Sequence, residues 1–177
     1  ESEGFTPNGW KNETRLYGEA LGHAEEVEEA IEAVETRAAD LAERLDSQGT
    51  TTSLVRWMPQ GPLVMSTELF STGLLEATGF DVTDADLVKE GRPHSDPLSL
   101  ENLGEVDTDL LFMATLNEDG REALDAARQS PAFSRLEVAK RDQVIPVDGQ
   151  LWTSASGPLA AQAVLDDIET ALSSDER

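Results

Sequence analysis

Apolar residues recur at alternating spacings of three and four along one stretch of this chain: Ala24, Val27, Ile31, Val34, Ala38, Leu41 and Leu45. That spacing makes one continuous stripe on an α-helix. At 1.5 Å per residue the helix is roughly 33 Å long, about the diameter of a small domain. Glu25, Glu26, Glu28 and Glu29 crowd its first turns, and Arg37 and Arg44 lie toward its end, an order that complements the helix dipole. The stripe lasts only about three heptads and several of its positions are alanine, so a spine packed on one domain is expected rather than a coiled coil. A shorter helix is expected before it, over Trp10–Leu21, with Trp10, Leu16, Tyr17 and Leu21 available for packing.

Downstream of Gly49 the pattern changes. Ser53-Leu54-Val55 is a β-favouring run that stops at Arg56-Trp57, where Pro59, Gly61 and Pro62 break it. Leu63-Val64-Met65 reads as a second short extended piece. Ser66 or Thr67 then caps a helix running to about Thr78, with Gly79 as its terminator. Residues 81–97 read as a polar surface loop, and a short helix starts at Ser99. The unbroken apolar run Asp109-Leu110-Leu111-Phe112-Met113-Ala114 has the character of a buried parallel strand. A helix over Glu118–Gln129, a strand over Gln143–Val147 with Pro146 marking an edge, and a helix from Gly157-Pro158 to about Leu172 complete the chain. Strands alternating with helices predict an α/β fold: a three-layer, Rossmann-like, parallel-rich sheet flanked by helices and preceded by the long helix.

Composition narrows the partners. Thirty-six acidic and thirteen basic residues give a formal net charge of −23 over 177 residues. Nucleic-acid backbones and anionic lipid surfaces repel such a chain, so neither is an expected partner. There is no cysteine, which removes disulfides and thiolate chemistry. The first residue is Glu1 rather than Met, so the chain is expected to be processed or cut from something longer.

Catalytic patterns are missing from the sequence: there is no Gly-x-Ser-x-Gly elbow, no Gly-x-x-x-x-Gly-Lys-Ser/Thr loop and no Gly-x-Gly-x-x-Gly. His23 and His94 are isolated, and neither has the second histidine at i+4 that a zinc-binding helix supplies. What remains is Arg56 beside Trp57 at the end of a strand. In an open α/β sheet that position delivers side chains to the carboxyl edge, where ligands bind. A guanidinium gives forked, charge-assisted hydrogen bonds and an indole gives stacking area, a pairing suited to a planar anion. The competing role is structural, with Arg56 on the surface and Trp57 filling a core edge.

Several segments in order resemble one family. Tyr17-Gly18-Glu19-Ala20-Leu21-Gly22 ahead of the long helix, Thr52-Ser53-Leu54-Val55-Arg56, and Phe70-Ser71-Thr72-Gly73-Leu74-Leu75 through Gly79 are the first three. Leu98-Ser99-Leu100-Glu101-Asn102-Leu103 with Asp107-Thr108-Asp109-Leu110-Leu111-Phe112, then Ser130-Pro131-Ala132-Phe133, Ala139-Lys140-Arg141-Asp142-Gln143-Val144, and Trp152 with Gly157-Pro158-Leu159 complete the series. Together they resemble the C-terminal lobe of the substrate-binding proteins that serve iron–siderophore ABC importers, from about Trp10 onward. The departure is the first lobe, which does not precede this chain.

The resemblance implies residues 1–48 as an interlobe segment with the connecting helix and residues 49–177 as the lobe. It implies a non-enzymatic, extracytoplasmic, lipid-anchored and monomeric protein. Such a protein captures a ferric siderophore between two lobes, needs no cofactor and delivers its cargo to an ABC permease. It gives Arg56 the ligand's anionic oxygens, Trp57 and Trp152 the role of aromatic walls, and Met58 a soft contact in the cleft. Core packing is the competing role for Trp152, which is expected on a loop before the last helix. Glu68 falls where some relatives carry a permease-docking glutamate, although a carboxylate at a helix start is stabilising on its own account. Other readings of the fold are haem, with Tyr17, His94, Met58 and Met65 as candidate axial ligands, cobalamin or a bare metal ion. A stand-alone acidic interaction domain, or an enzyme on a related lobe, lies outside that class.

Overall fold

The computed structural model describes residues 6–173. The polar N-terminal stretch through residue 5 lies outside the described residues. The helix α1 spans Gly9–Leu21 and ends at Gly22 in a left-handed conformation (φ 78°), and α2 spans Ala24–Leu45 as the stripe predicts. Its buried positions Ile31, Val34, Ala38 and Leu41 all belong to that stripe. Then follow β1 (Thr51–Met58), β2 (Gly61–Val64), α3 (Phe70–Ala77) and β3 (Asp81–Val82). A 3-10 segment over Leu100–Val106 leads to β4 (Leu110–Thr115) and α4 (Glu118–Arg128). A 3-10 turn over Phe133–Arg135 precedes α5 (Glu137–Lys140), β5 (Val144–Asp148), α6 (Gly149–Ser154) and α7 (Pro158–Ser173).

The strands form one sheet in the order β2-β1-β4-β5. Strands β1, β4 and β5 are parallel; β2 returns antiparallel on the other side of β1, and β3 pairs in parallel with Thr51 and Thr52 below it. Sequence reading differs here in three places. The tight turn at Pro59-Gln60 makes β1 and β2 a hairpin, so the sheet is mixed. Residues 81–82, expected in a loop, are a strand. Ser66 and Thr67 do not cap α3, which starts at Phe70; the Thr72 hydroxyl instead accepts from Leu69 N–H at 3.0 Å.

Two apolar layers flank the sheet. On one face α2, α3, α6 and α7 close over Leu54, Phe112 and Ala114, and Trp10 of α1 meets Phe70 edge-on at 5.8 Å. On the other face α4 and the two 3-10 segments close over Val55, Trp57, Leu111 and Met113. Arg37 of α2 ties the spine to α7 through Asp166 (2.6 Å) and Glu169 (2.9 Å). Leu16, Tyr17 and Leu21 of α1, expected to pack, are exposed instead.

Candidate ligand-binding edge

Strand β1 pairs without a break against β4 and β2, so its side chains alternate strictly between the two faces. Leu54 belongs to one core layer, Val55 and Trp57 to the other. Arg56 therefore points to the Leu54 face, away from Trp57. Trp57 is only 2% exposed and meets Phe133 edge-on at 6.3 Å. Trp152 is 1% exposed, stacks on Phe112 at 4.9 Å between ring centroids, and donates Nε1–H to Asp167 at 2.8 Å. It sits on α6, not on a loop, in the Leu54 layer. Neither indole presents a face to solvent, so the expectation of aromatic walls is corrected: both rings are core. Burying that much apolar area outweighs leaving it on a rim.

Arg56 is different. The residue is half-buried, and its Nε is enclosed without an acceptor. No carboxylate pairs with it among the described residues, whereas Arg15, Arg37, Arg44, Arg92 and Arg141 each have one. Burial alone pushes its guanidinium below the ordinary arginine value. A buried N–H of a charged group left unmatched is costly, so a protein keeps one where something else completes it. Met58, half-buried at the hairpin, follows on the same face.

Two glycines show how tightly this edge is built. A Cβ on Gly120 would stand 2.9 Å from the Trp57 carbonyl oxygen, and one on Gly149 would stand 2.7 Å from that of Thr115. Glycine thus lets α4 and α6 begin directly against the strand ends. Asn117 caps α4 by accepting from Gly120 N–H at 3.0 Å, and Asp148 caps α6 by accepting from Gln150 and Leu151 at 2.7 and 3.2 Å.

The remaining candidates do not converge on Arg56. Glu68 is exposed on the connection ahead of α3, with its N–H on Ser66 Oγ at 3.1 Å. Of the haem-ligand candidates, Met65 is buried in the core, His94 pairs with it across an isolated bridge, and Tyr17 lies on α1 against Glu13 at 3.2 Å. Met58 stands at the opposite end of the hairpin from Met65. Among the described residues no cluster of three or more metal-ligating side chains occurs. Sequence reasoning missed Arg121, which lines a pocket of about 390 Å³ with Thr115 and Asp148 at the ends of β4 and β5. Its place four residues after the helix-capping Asn117 is the only sequence signal it offers.

Residues 2–151 match the sequence profile of the periplasmic binding protein family. The chain belongs to that family. Over 170 residues it is 31% identical to the probable siderophore-binding lipoprotein YfiY of Bacillus subtilis, an alignment covering 91% of this chain and 52% of that protein. The chain thus spans about half the length of the curated relative it matches. Staphylococcus aureus SirA has the same fold, with a TM-score of 0.80 at 20% identity over 92% of this chain and 64% of that one. A siderophore periplasmic binding protein from the fuscachelin gene cluster of Thermobifida fusca superposes at 0.76 with 22% identity, over 97% of this chain and 62% of that one. The α/β architecture of this periplasmic binding protein chain, a mostly parallel sheet flanked by helices, is the one its sequence pattern predicts.

Proposed function

We propose that this chain is the C-terminal lobe of a solute-binding protein that holds a ferric siderophore in a cleft between two lobes, for delivery to an ABC permease. Residues 49–177 would form the lobe proper, and α1 with α2 the passage from the other lobe. The observation that carries this is Arg56: a half-buried, unmatched guanidinium beside the hairpin at the carboxyl end of β1, in a chain where acids outnumber bases. A ligand carboxylate, catecholate or hydroxamate oxygen would complete its hydrogen bonds, each charge-assisted contact contributing about 1.5–3 kcal/mol. The relative YfiY is named for siderophore binding, and SirA has been solved with staphyloferrin B, which supports the choice of cargo. The role is one of binding, without a catalytic step. The family and the lipoprotein relative support a place outside the cytoplasm and a lipid anchor; Glu68, exposed ahead of α3, is the permease contact in this proposal.

Net charge does not oppose the reading. At physiological salt the Debye length is about 8 Å, so distant carboxylates are screened and the local guanidinium dominates.

Arg56→Met tests it in the chain joined to its preceding lobe. Ferric siderophore should quench the tryptophan emission of the parent, and the variant should bind at least about tenfold more weakly while melting no lower. Undiminished affinity, or a lowered melting temperature with affinity intact, would make Arg56 a structural residue and remove the basis of the proposal.

A further inference from the structure

The first half of α2 carries little core. Its buried positions begin at Ile31, and residues 24–30 before it are exposed or half-buried. Their anchors lie on α1. Val27 meets Gly18, where a Cβ would stand 2.6 Å from the valine Cγ2, and Arg15 holds Glu28 in a forked pair at 2.7 and 3.1 Å. The Arg15 and Glu28 side chains remain 40% and 55% exposed, and α1 itself buries only Trp10 and Gly18.

The same segment is crowded with one charge. Glu25, Glu26, Glu28, Glu29, Glu32 and Glu35 stand three or four residues apart, which on a helix leaves about 5–6 Å between neighbouring Cβ atoms. Like charges at that spacing destabilise a helix. Partners are few: besides Arg15 on Glu28, Lys11 reaches Glu35 at 2.6 Å and His23 reaches Glu26 at 3.1 Å. Glu25, Glu29 and Glu32 are exposed and have no cationic partner among the described residues. The helix dipole favours acids only within the first turn, so it offsets Glu25 and Glu26 and not the others.

Screening decides which effect wins. At 0.01 M salt the Debye length is about 30 Å, so these glutamates feel one another and the chain's net charge of −23. At 1 M it is about 3 Å, shorter than the spacing between like charges but close to the length of the Arg15–Glu28 contacts. Concentrated salt therefore removes repulsion while the direct ion pair and the Val27–Gly18 contact persist.

We propose that α1 together with residues 24–35 of α2 is an ionic-strength-dependent element, ordered in concentrated salt and loosened in dilute buffer. It does not depend on the cargo proposed above. The order of the spine's first half, and with it the seating of α1, follows the salt of the surrounding medium.

Amide hydrogen exchange of the 177-residue chain in KCl at roughly 0.01 M and 1 M tests this. Amides 28–35 should exchange about tenfold more slowly at the higher concentration, beyond any change at residues 110–115 of β4. Glu25→Gln, Glu29→Gln and Glu32→Gln combined should exchange slowly at both concentrations. Equal exchange of amides 28–35 at both concentrations in the parent would overturn the proposal. So would a salt response shared in full by residues 110–115, or one undiminished in the triple variant.

Discussion

The two ends of the sheet treat their polar groups in opposite ways. At the amino end a series of side chains is tied to neighbouring backbone. Asp109 accepts from the Thr51 amide and hydroxyl at 3.0 and 2.7 Å, and Arg141 reaches the Thr108 carbonyl at 3.1 Å. Asp107 accepts from the amides of Glu137 and Val138 at 2.8 and 2.9 Å, the Thr52 and Thr108 hydroxyls share the Leu110 carbonyl, and Ser47 donates to Thr78. At the carboxyl end, among the described residues, Arg56 Nε has no acceptor and Arg121 pairs with no carboxylate. Helices α4 and α6 close on both strand ends yet leave these cations unmatched. The difference separates groups tied into the fold from groups that the fold leaves without a partner among the described residues.

The comparison can be broken by mutation, and the largest effect lies with a residue that belongs to neither end. Trp152→Ala should cost about 3–5 kcal/mol in denaturant unfolding, because it empties the stack on Phe112 and frees Asp167. A normal midpoint with lost ligand binding would return Trp152 to the cleft. At the matched end, Asp107→Ala should cost about 1 kcal/mol by uncapping α5, and an unchanged midpoint would show those bonds to be idle.

Acid sharpens the contrast. Hydrogen bonds from the Thr51 side chain and amide, with Arg141 adding attraction, hold the Asp109 carboxyl below its ordinary value. Its contribution is therefore fully present above the unfolded value of about 3.9 and is lost as pH falls through the lower, folded one. Asp109→Asn should remove that part of the pH dependence, and identical acid unfolding profiles for the two proteins would contradict it. At the unmatched end stability should barely respond: Arg121→Ala is expected within about 0.5 kcal/mol of the parent by calorimetry. A larger loss would mean that Arg121 supports the fold.

Much of this fold is legible in the sequence because its signals are long. The stripe in α2, the unbroken apolar run in β4 and the Gly-Pro opening of α7 each repeat over enough residues to define an element. Short elements are not. The hairpin turn hides among Pro59, Gly61 and Pro62, which read as the end of a strand rather than a reversal, and α6 is six residues long. Asp148, an N-cap ahead of Gly149, was its available signal. In the site, strand alternation alone separates Arg56 from Trp57, so two neighbours in sequence cannot share one ligand face. The unmatched state of Arg56 and Arg121 depends on which acids the fold brings near, and no local pattern carries that.

Pro146 has a last consequence. It lies in the middle of the outermost strand β5 and has no N–H. A chain trying to extend the sheet from that border would meet a gap in the ladder at its centre. The sheet can thus leave one border strand uncovered without inviting intermolecular strand addition.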